Sequence, residues 1–361
     1  MTQIPPSNRK LAVVILAAGK GSRMKTELPK VLHQVGGRAM IDCVLDAVEP
    51  LGPQGAFVVV GHRADDVEAH IGARATCVLQ EKQLGTGHAV MMAAGPLRDL
   101  VAANPDGVDV LVLNGDGPLL RTETLSALVE RRREMTCACA VLTTHLQDPT
   151  GYGRIQRDEY GAVRGIVEHK DATEAQRAIK EINTGIYAFD AQALLTALDH
   201  LDNDNVQGEY YLTDTVKVLR RDHRGVEASV CPDPSEVVGV NSRQELANAE
   251  AILRRRVLNA LMDSGVTVID PETTYVDRTA VIGRETILQP FTIIRGQSVV
   301  GEGCIIGPHA TLIDATLEHC VRVRHAVVEG AAVEAGAIVG PFEHLKGELA
   351  GAAAQAADST P

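Results

Sequence analysis

Every sixth residue from Val276 onward is aliphatic: Val276, Ile282, Leu288, Ile294, Val300, Ile306 and Leu312. After a nine-residue step the period resumes at Val321, Val327, Val333, Val339 and Leu345. Small residues sit four places further on, at Ala280, Thr286, Thr292, Ser298, Cys304, Ala310, Thr316, Ala331 and Ala337. An α-helix repeats at 3.6 residues and a strand at 2, so neither accounts for a period of six. A parallel β-helix does, with the aliphatic residues pointing inward and stacking coil on coil. Three units close one triangular coil, so twelve units predict about four coils. A loose linker rich in Gly and Val would not hold the period through so many positions.

The remainder of the chain follows another plan. Short apolar runs (Leu11–Leu16, Phe57–Val60, Val108–Leu113, Cys137–Thr143) alternate with helix-like segments (Ile41–Val48, Thr86–Leu100, Thr122–Arg133). Continuous apolar strands separated by helices predict an α/β domain, its mostly parallel sheet covered on both faces. Such sheets bind ligands at the carboxyl ends of their strands. Ser242 and Glu245 form a capping-box signature, and Leu246, Ala249, Leu253, Val257 and Leu261 then recur at helical spacing. The expected layout is therefore a catalytic domain over 1–241, a linker helix over 242–265, a short β-helix over 266–347 and a disordered tail over 348–361.

Composition narrows the function. Lys and Arg total 35 against 47 Asp and Glu, a net charge of −12. That balance excludes nucleic-acid binding by a basic face. Aromatics are 3% of residues with no Trp, which excludes base-stacking platforms. Phosphate ligands would have to be held by local devices: backbone N–H groups, a few cations or a metal. The seven cysteines are widely spaced with no CxxC pair, so neither a disulfide framework nor a zinc site is implied. Buried reduced thiols and a cytoplasmic enzyme are expected. Arg9-Lys10 before Leu11–Ala18 superficially resembles a signal peptide, but the run is brief and enters a polar Gly-rich loop. No stretch reaches the length of a membrane span.

The first strand ends in Leu16-Ala17-Ala18-Gly19-Lys20-Gly21-Ser22-Arg23-Met24, followed by Leu28-Pro29-Lys30. A Gly-rich turn in this place gathers N–H groups around an anion. The spacing is not that of a P-loop, and Met24 stands where a dinucleotide fingerprint needs its third Gly. Arg23 and Lys30 add positive charge. This segment resembles the signature of sugar-phosphate nucleotidylyltransferases. Further runs follow in order: Gln80–Ala89, Asn114–Leu119, Gly151–Ile155, Ile166–Ala172, Glu181–Gly185, Gln207–Asp214 and Val240–Arg243. Over residues 10–347 the sequence resembles the bacterial bifunctional N-acetylglucosamine-1-phosphate uridylyltransferase/glucosamine-1-phosphate acetyltransferase family.

The resemblance implies a Rossmann-like nucleotidyltransferase domain followed by a linker helix and a short left-handed hexapeptide-repeat β-helix. It implies the reaction of UTP with N-acetylglucosamine 1-phosphate, giving UDP-N-acetylglucosamine and pyrophosphate. Magnesium would be held by Asp116 and Asn241, hard oxygen donors of the kind it prefers. Arg23 and Lys30 would act as catalytic cations on the phosphates. Leu16, Ala17, Gly19 and Gly115 would line the nucleotide site, with Gln80 and Gln83 at the uracil edge. Gly85 and Thr86 would lie close beneath the base. Gly153, Glu168 and Asn183 would bind the sugar, and Glu209 and Tyr210 would line the same cleft. No general base is needed, because the attacking phosphate is already ionised. His33, His88 and His169 lie near motifs but share no metal-ligand spacing, so structural roles are expected for them. Asn114 stands where the best-matching relatives are expected to carry Tyr.

Gly340–Gly347 resembles the segment that opens the acetyltransferase region, with Lys346 where the family has Arg. The later catalytic positions have no counterpart, so acetyltransferase activity is expected to be absent. Trimers through the β-helix are implied by the resemblance. Two alternatives remain at the sequence level: a nucleotidylyltransferase for another sugar 1-phosphate or for dTTP, and a catalytically silent sugar-nucleotide-binding scaffold.

Overall fold

A computed structural model describes residues 8–347. The expected disordered tail, 348–361, lies outside the described residues. The chain divides into two units. One holds the residues up to His33 together with Ala39–Leu246; the other holds Gln34–Arg38 together with the chain from Ala247 onward.

The first unit is built on nine strands: β1 Lys10–Leu16, β2 Gly55–Val60, β3 Thr76–Leu79, β4 Val108–Asn114, β5 Cys139–His145, β6 Arg154–Arg157, β7 Val163–Val167, β8 Glu181–Asp190 and β9 Val226–Val230. Seven form a path in the order β9-β5-β8-β4-β1-β2-β3; β6 pairs with β8 and with β7 off this path. Along the path only β8 runs antiparallel to its neighbours, so the sheet is mixed but mostly parallel, as expected. The apolar strands serve both faces. In β1, Ala12 and Val14 enter one buried cluster while Leu11, Val13 and Ile15 enter the other. In β4, Val110 and Val112 face the first cluster and Leu111 and Leu113 the second. Each such aliphatic side chain taken from water contributes about 1.5–3 kcal/mol.

Helices cover the sheet where the continuous apolar runs give way to a period near 3.6. Met40–Val48, Thr122–Glu134 and Ala191–Leu198 are observed. The segment predicted as one helix over 86–100 is two, Thr86–Met92 and Ala94–Ala103, which meet at Ala93. The helix Arg243–Asp263 starts as the capping signature predicts, with Glu245 N–H donating to Ser242 Oγ at 3.2 Å. The reciprocal bond differs: the Glu245 carboxylate accepts from Asn241 N–H at 2.6 Å. Further along, Leu258 is fully buried where Val257 was expected to be.

The second unit is the β-helix. Fourteen two- or three-residue strands from Thr267 to Lys346 stack into three parallel sheets of five, five and four strands. The period predicts twelve units and fourteen are present: Val268 adds one before the six-residue period begins, and a change of register adds the other. From Val276 to Leu312 each coil advances eighteen residues, as Val276↔Ile294 and Ile294↔Leu312 show. Beyond that the coils shorten: Val300 pairs with Leu317, Ile306 with Val323 and Leu312 with Val328. The inward residues are therefore Leu317, Val323 and Val328 before the pattern rejoins at Val333, not Val321 and Val327 after a nine-residue step. Val321 is nonetheless fully buried. It fills the slot two residues before an inward side chain, which Thr286, Thr292, Ser298, Cys304, Ala310 and Ala315 fill elsewhere. The buried hydroxyls among these bond to carbonyls: Thr286 to Gly301 at 2.9 Å, Thr292 to Ile306 at 3.1 Å and Ser298 to Arg295 at 2.6 Å. The turn at Gln34–Arg38 belongs to this unit. Gly36 N–H donates to Glu250 at 2.6 Å, and its carbonyl accepts from Arg278 N–H.

No helix among the described residues is long and apolar enough to cross a membrane. No disulfide joins the cysteines. Five are buried as expected, but Cys77 is half-buried and Cys320 exposed.

Candidate active site

The carboxyl ends of β1 and β4 lie side by side, with Leu16 paired to Asn114. Past these ends the chain must turn, and two adjoining cavities open there. The first is lined by Leu16, Ala17, Gly19, Lys30, Gln80, Gln83, Gly85, Thr86, Asp116 and Glu209 among others. The second is lined by Arg23, Gly153, Glu168, Asn183 and Asn241, with Tyr152, Tyr187 and Thr213. Leu16, Thr86, Asn114 and Asp116 border both. Two predicted residues line neither cavity. Gly115 lies against the strand ends, its N–H bonded to the Leu16 carbonyl at 2.9 Å. Tyr210 contributes backbone: its N–H donates to Leu84 O and its carbonyl accepts from Gly87 N–H, both at 2.8 Å.

Gly85 explains why that loop can approach a ligand. It has φ +107, and a Cβ there would meet the Tyr210 carbonyl oxygen at 2.5 Å. The backbone conformation and the close contact both demand glycine. The two glutamines are held by their amide nitrogens. Gln80, 3% exposed, directs Nε2 to the Gly85 carbonyl at 3.2 Å and to His88 Nδ1 at 2.9 Å. Gln83 Nε2 donates to the Ala18 carbonyl at 2.8 Å. With the nitrogens engaged, the amide oxygens are the groups left to meet a ligand's donor. His88 thus positions Gln80, a role the sequence does not announce.

The second cavity depends on an irregularity in β8. Its register against β5 shifts between Asn183 and Tyr187. The bulge is capped locally: Asn183 Oδ1 accepts from Gly185 N–H at 3.1 Å. Gly185 has φ +78, and a Cβ would strike Asn114 Nδ2 at 2.5 Å. Bulges re-aim side chains beside functional sites, and here Asn183 lines the cavity. Glu168 follows β7. Its Oε1 accepts from Thr213 Oγ1 at 3.0 Å, while burial raises the carboxyl above its usual range against that bond. Tyr187 is buried against Phe189, with its hydroxyl toward the Asn183 side chain. Arg154, 1% exposed, braces the preceding loop by donating to the Tyr152 carbonyl. Tyr152 and Thr213 lie within the family-like runs Gly151–Ile155 and Gln207–Asp214 without an individual role expected for them, and Tyr187 lies outside every run, because single polar residues carry no period.

Where the cavities meet, a cation is already in place. The Lys30 ammonium pairs with Asp116 and donates to Asn241 Oδ1 at 2.9 Å. The Lys30 and Asp116 side chains are only 14% and 15% exposed. Asp116 is fixed by its carbonyl, which accepts from Val240 N–H at 2.9 Å. Asn241 is turned by donating its amide to Gly239 O at 3.3 Å. One carboxylate and one amide oxygen converging on a positive charge form a donor set that fits magnesium. Among the described residues no group of three or more His, Cys, Asp and Glu is arranged to hold a metal ion. A metal here would therefore take its remaining ligands from substrate and water. Arg23 is exposed at the mouth, in a loop pinned by Arg243 Nε donating to the Met24 carbonyl at 3.1 Å.

Residues 13–207 match the MobA-like NTP transferase domain, and residues 279–314 match the bacterial transferase hexapeptide (six repeats). The chain is 44% identical to the bifunctional protein GlmU of Enterococcus faecalis, over 92% of this chain and 71% of that protein. It is 46% identical to bifunctional protein GlmU of Brevibacillus brevis, over 93% of this chain and 72% of that protein. The same values hold against that of Heliobacterium modesticaldum. The chain belongs to the GlmU family. Its first unit is accordingly a nucleotidyltransferase of the UDP-N-acetylglucosamine-forming kind, and its second is the left-handed hexapeptide β-helix of that family.

Proposed function

We propose that the cleft transfers a uridylyl group from UTP to N-acetylglucosamine 1-phosphate. The carrying observation is the junction itself: two cavities, one with amide oxygens and one with sugar-type polar groups, meet at Asp116. The first cavity takes the nucleoside. The Gln80 and Gln83 oxygens accept from a uracil N3–H, and the backbone at Gly85 and Thr86 supports the base. The second takes the sugar, with Glu168 and Asn183 reading hydroxyl and N-acetyl groups.

A phosphate oxygen of the sugar 1-phosphate attacks the α-phosphorus of UTP in line. A P–O bond forms, the α–β bridging P–O bond breaks, and pyrophosphate leaves with the electron pair. No proton transfer is required, so catalysis is positioning and charge stabilisation. Arg23 and Lys30 bear on the charge that develops on the phosphates. Magnesium held by Asp116 and Asn241 supplies further neutralisation of the triphosphate. Lys30 now pairs with both of these groups, so it is positioned beside the reacting phosphates.

Cytoplasmic residence suits soluble nucleotide substrates of this kind. Assembly as a homotrimer through the β-helix is part of the proposal. The outer faces of that unit expose Ile269, Val281, Phe291, Ile338 and Phe342, which a neighbouring copy would cover. The test of the activity is pyrophosphate release with UTP or dTTP, magnesium and a panel of sugar 1-phosphates. Release confined to UTP with N-acetylglucosamine 1-phosphate is expected. No release with any pair would refute an enzyme and favour a silent scaffold; preference for glucose 1-phosphate or dTTP would refute the assigned specificity.

A further inference from the structure

At the opposite edge of the same sheet, where β1 and β4 begin, a separate cavity opens. It lies about 20 Å from the catalytic edge, the length of a seven-residue strand. Its lining holds Arg9, Arg132, Arg133, Arg224 and His223 against one carboxylate, that of Asp190. A second carboxylate, Asp109, sits fully buried beneath it.

These charges do not balance, and the bonding shows why the excess persists. Asp109 takes all three inner arginines: Arg9 Nε at 2.9 Å and Arg132 at 2.7 Å on Oδ1, and Arg133 Nε at 2.6 Å on Oδ2. Asp190 Oδ2 accepts from Arg9 at 2.5 Å, while its Oδ1 caps the helix Ala191–Leu198 through Ala193 N–H at 2.9 Å. Both carboxylates are thus occupied. The four guanidinium groups of the lining face these two carboxylates and, at Arg224, the Asp222 carboxylate, which leaves a positive excess before His223 is counted. Arg132 is 5% exposed, and its Nε has no acceptor among the described residues. Burial works against its positive charge; Asp109 opposes that effect and Arg9 adds to it. Arg132 is paired, but one buried carboxylate shared among three arginines leaves positive charge in excess, and an anion in the cavity would offset it.

We propose that this cavity is an anion site for a phosphate group, remote from the catalytic cleft. Guanidinium groups match a tetrahedral oxyanion with paired N–H donors, which favours phosphate over a halide. Arg224 is the exposed member, beside the exposed Asp222 rather than in the buried Asp109 network, so it is the residue to change without disturbing the fold.

Inorganic phosphate and uridine monophosphate are titrated calorimetrically at constant ionic strength into Arg23→Gln, which weakens the catalytic cleft, and into Arg23→Gln/Arg224→Glu. Phosphate binding that survives Arg23→Gln and weakens by about tenfold or more with Arg224→Glu is expected. Arg224→Lys, which keeps the charge, should retain most of it. Tighter binding of inorganic phosphate identifies the free ion as the ligand; tighter binding of the nucleotide identifies a phosphorylated metabolite. Binding unchanged by Arg224→Glu, or no binding to Arg23→Gln, overturns the proposal. Arg224→Glu alone should leave the pyrophosphate-release rate intact, which verifies folding.

Discussion

Asp116→Asn separates the two functions that converge at the junction of the cavities. The substitution keeps the shape of the side chain and removes its charge. In the resting structure Lys30 would lose an ion pair that is largely dry but keep its bond to Asn241 Oδ1 at 2.9 Å. Losing one charge-assisted bond of this kind costs about 1.5–3 kcal/mol. For a domain of this size each kcal/mol moves the melting temperature by roughly 2–4 °C. The catalytic loss should be larger, because a carboxylate ligand to the metal would be lost where negative charge develops. Removing one such stabilising group typically costs about 100- to 1,000-fold in kcat. The assay is steady-state pyrophosphate release over a magnesium series, with thermal unfolding of the same preparation. The magnesium requirement should rise as kcat falls. A melting temperature lowered as expected with kcat within a few-fold of wild type would refute the metal role and leave Asp116 as a structural partner of Lys30.

Three further outcomes follow from the geometry. Burial holds the Glu168 carboxyl above its ordinary range, and the Thr213 hydroxyl opposes that shift. If ionised Glu168 binds sugar, KM for the sugar phosphate should rise as pH falls through this raised pKa. Thr213→Val should move that limb to still higher pH, and an unmoved limb would disprove the link. Gly85→Ala forces a Cβ against the Tyr210 carbonyl at a φ side chains rarely adopt, a strain of about 1–3 kcal/mol. KM for UTP should increase more than KM for the sugar phosphate; equal effects would place the loop elsewhere. Leu312→Ala leaves a hole in the β-helix core at a fully buried position. It should cost about 2–5 kcal/mol, measured by denaturant unfolding of that unit, with pyrophosphate release unchanged.

Much of this architecture could be read from the chain because periodic patterns are local. The continuous apolar runs of β1 and β4 announced a sheet covered on both faces, and the six-residue period announced a β-helix. The period failed where corners lose a residue, and before Val276, where the first coil from Val268 to Leu288 is longer. Val321 is aliphatic and buried, so hydrophobicity alone could not show that it occupies a neighbouring slot rather than the inward one. The split of the helix at Ala93 does have a local signal, Gly95-Pro96: Pro96 has no N–H to bond back to Met92, so one helix cannot run through. At the junction, Lys30 is 86 residues from Asp116 and 211 from Asn241. No spacing rule joins groups so far apart, and only the likeness to a known family put them together. His88 and Thr213 stayed hidden for a related reason: each acts through one bond to a ligand-facing group, and a single histidine or threonine carries no sequence signature of such a bond.

The shortened corners of the β-helix bear on how such a column tolerates change in length. Coils of sixteen, seventeen and eighteen residues, such as Leu312 to Val328, Val300 to Leu317 and Ile294 to Leu312, all deliver three inward side chains. Single-residue insertions or deletions at a corner are therefore absorbed within one turn of the solenoid. A frame slip that would flip every side chain of an ordinary strand stays confined here to one vertex, and the stack above and below it keeps its place. The gauge of this column is its number of rungs, while the chain length spent on each rung is free to drift.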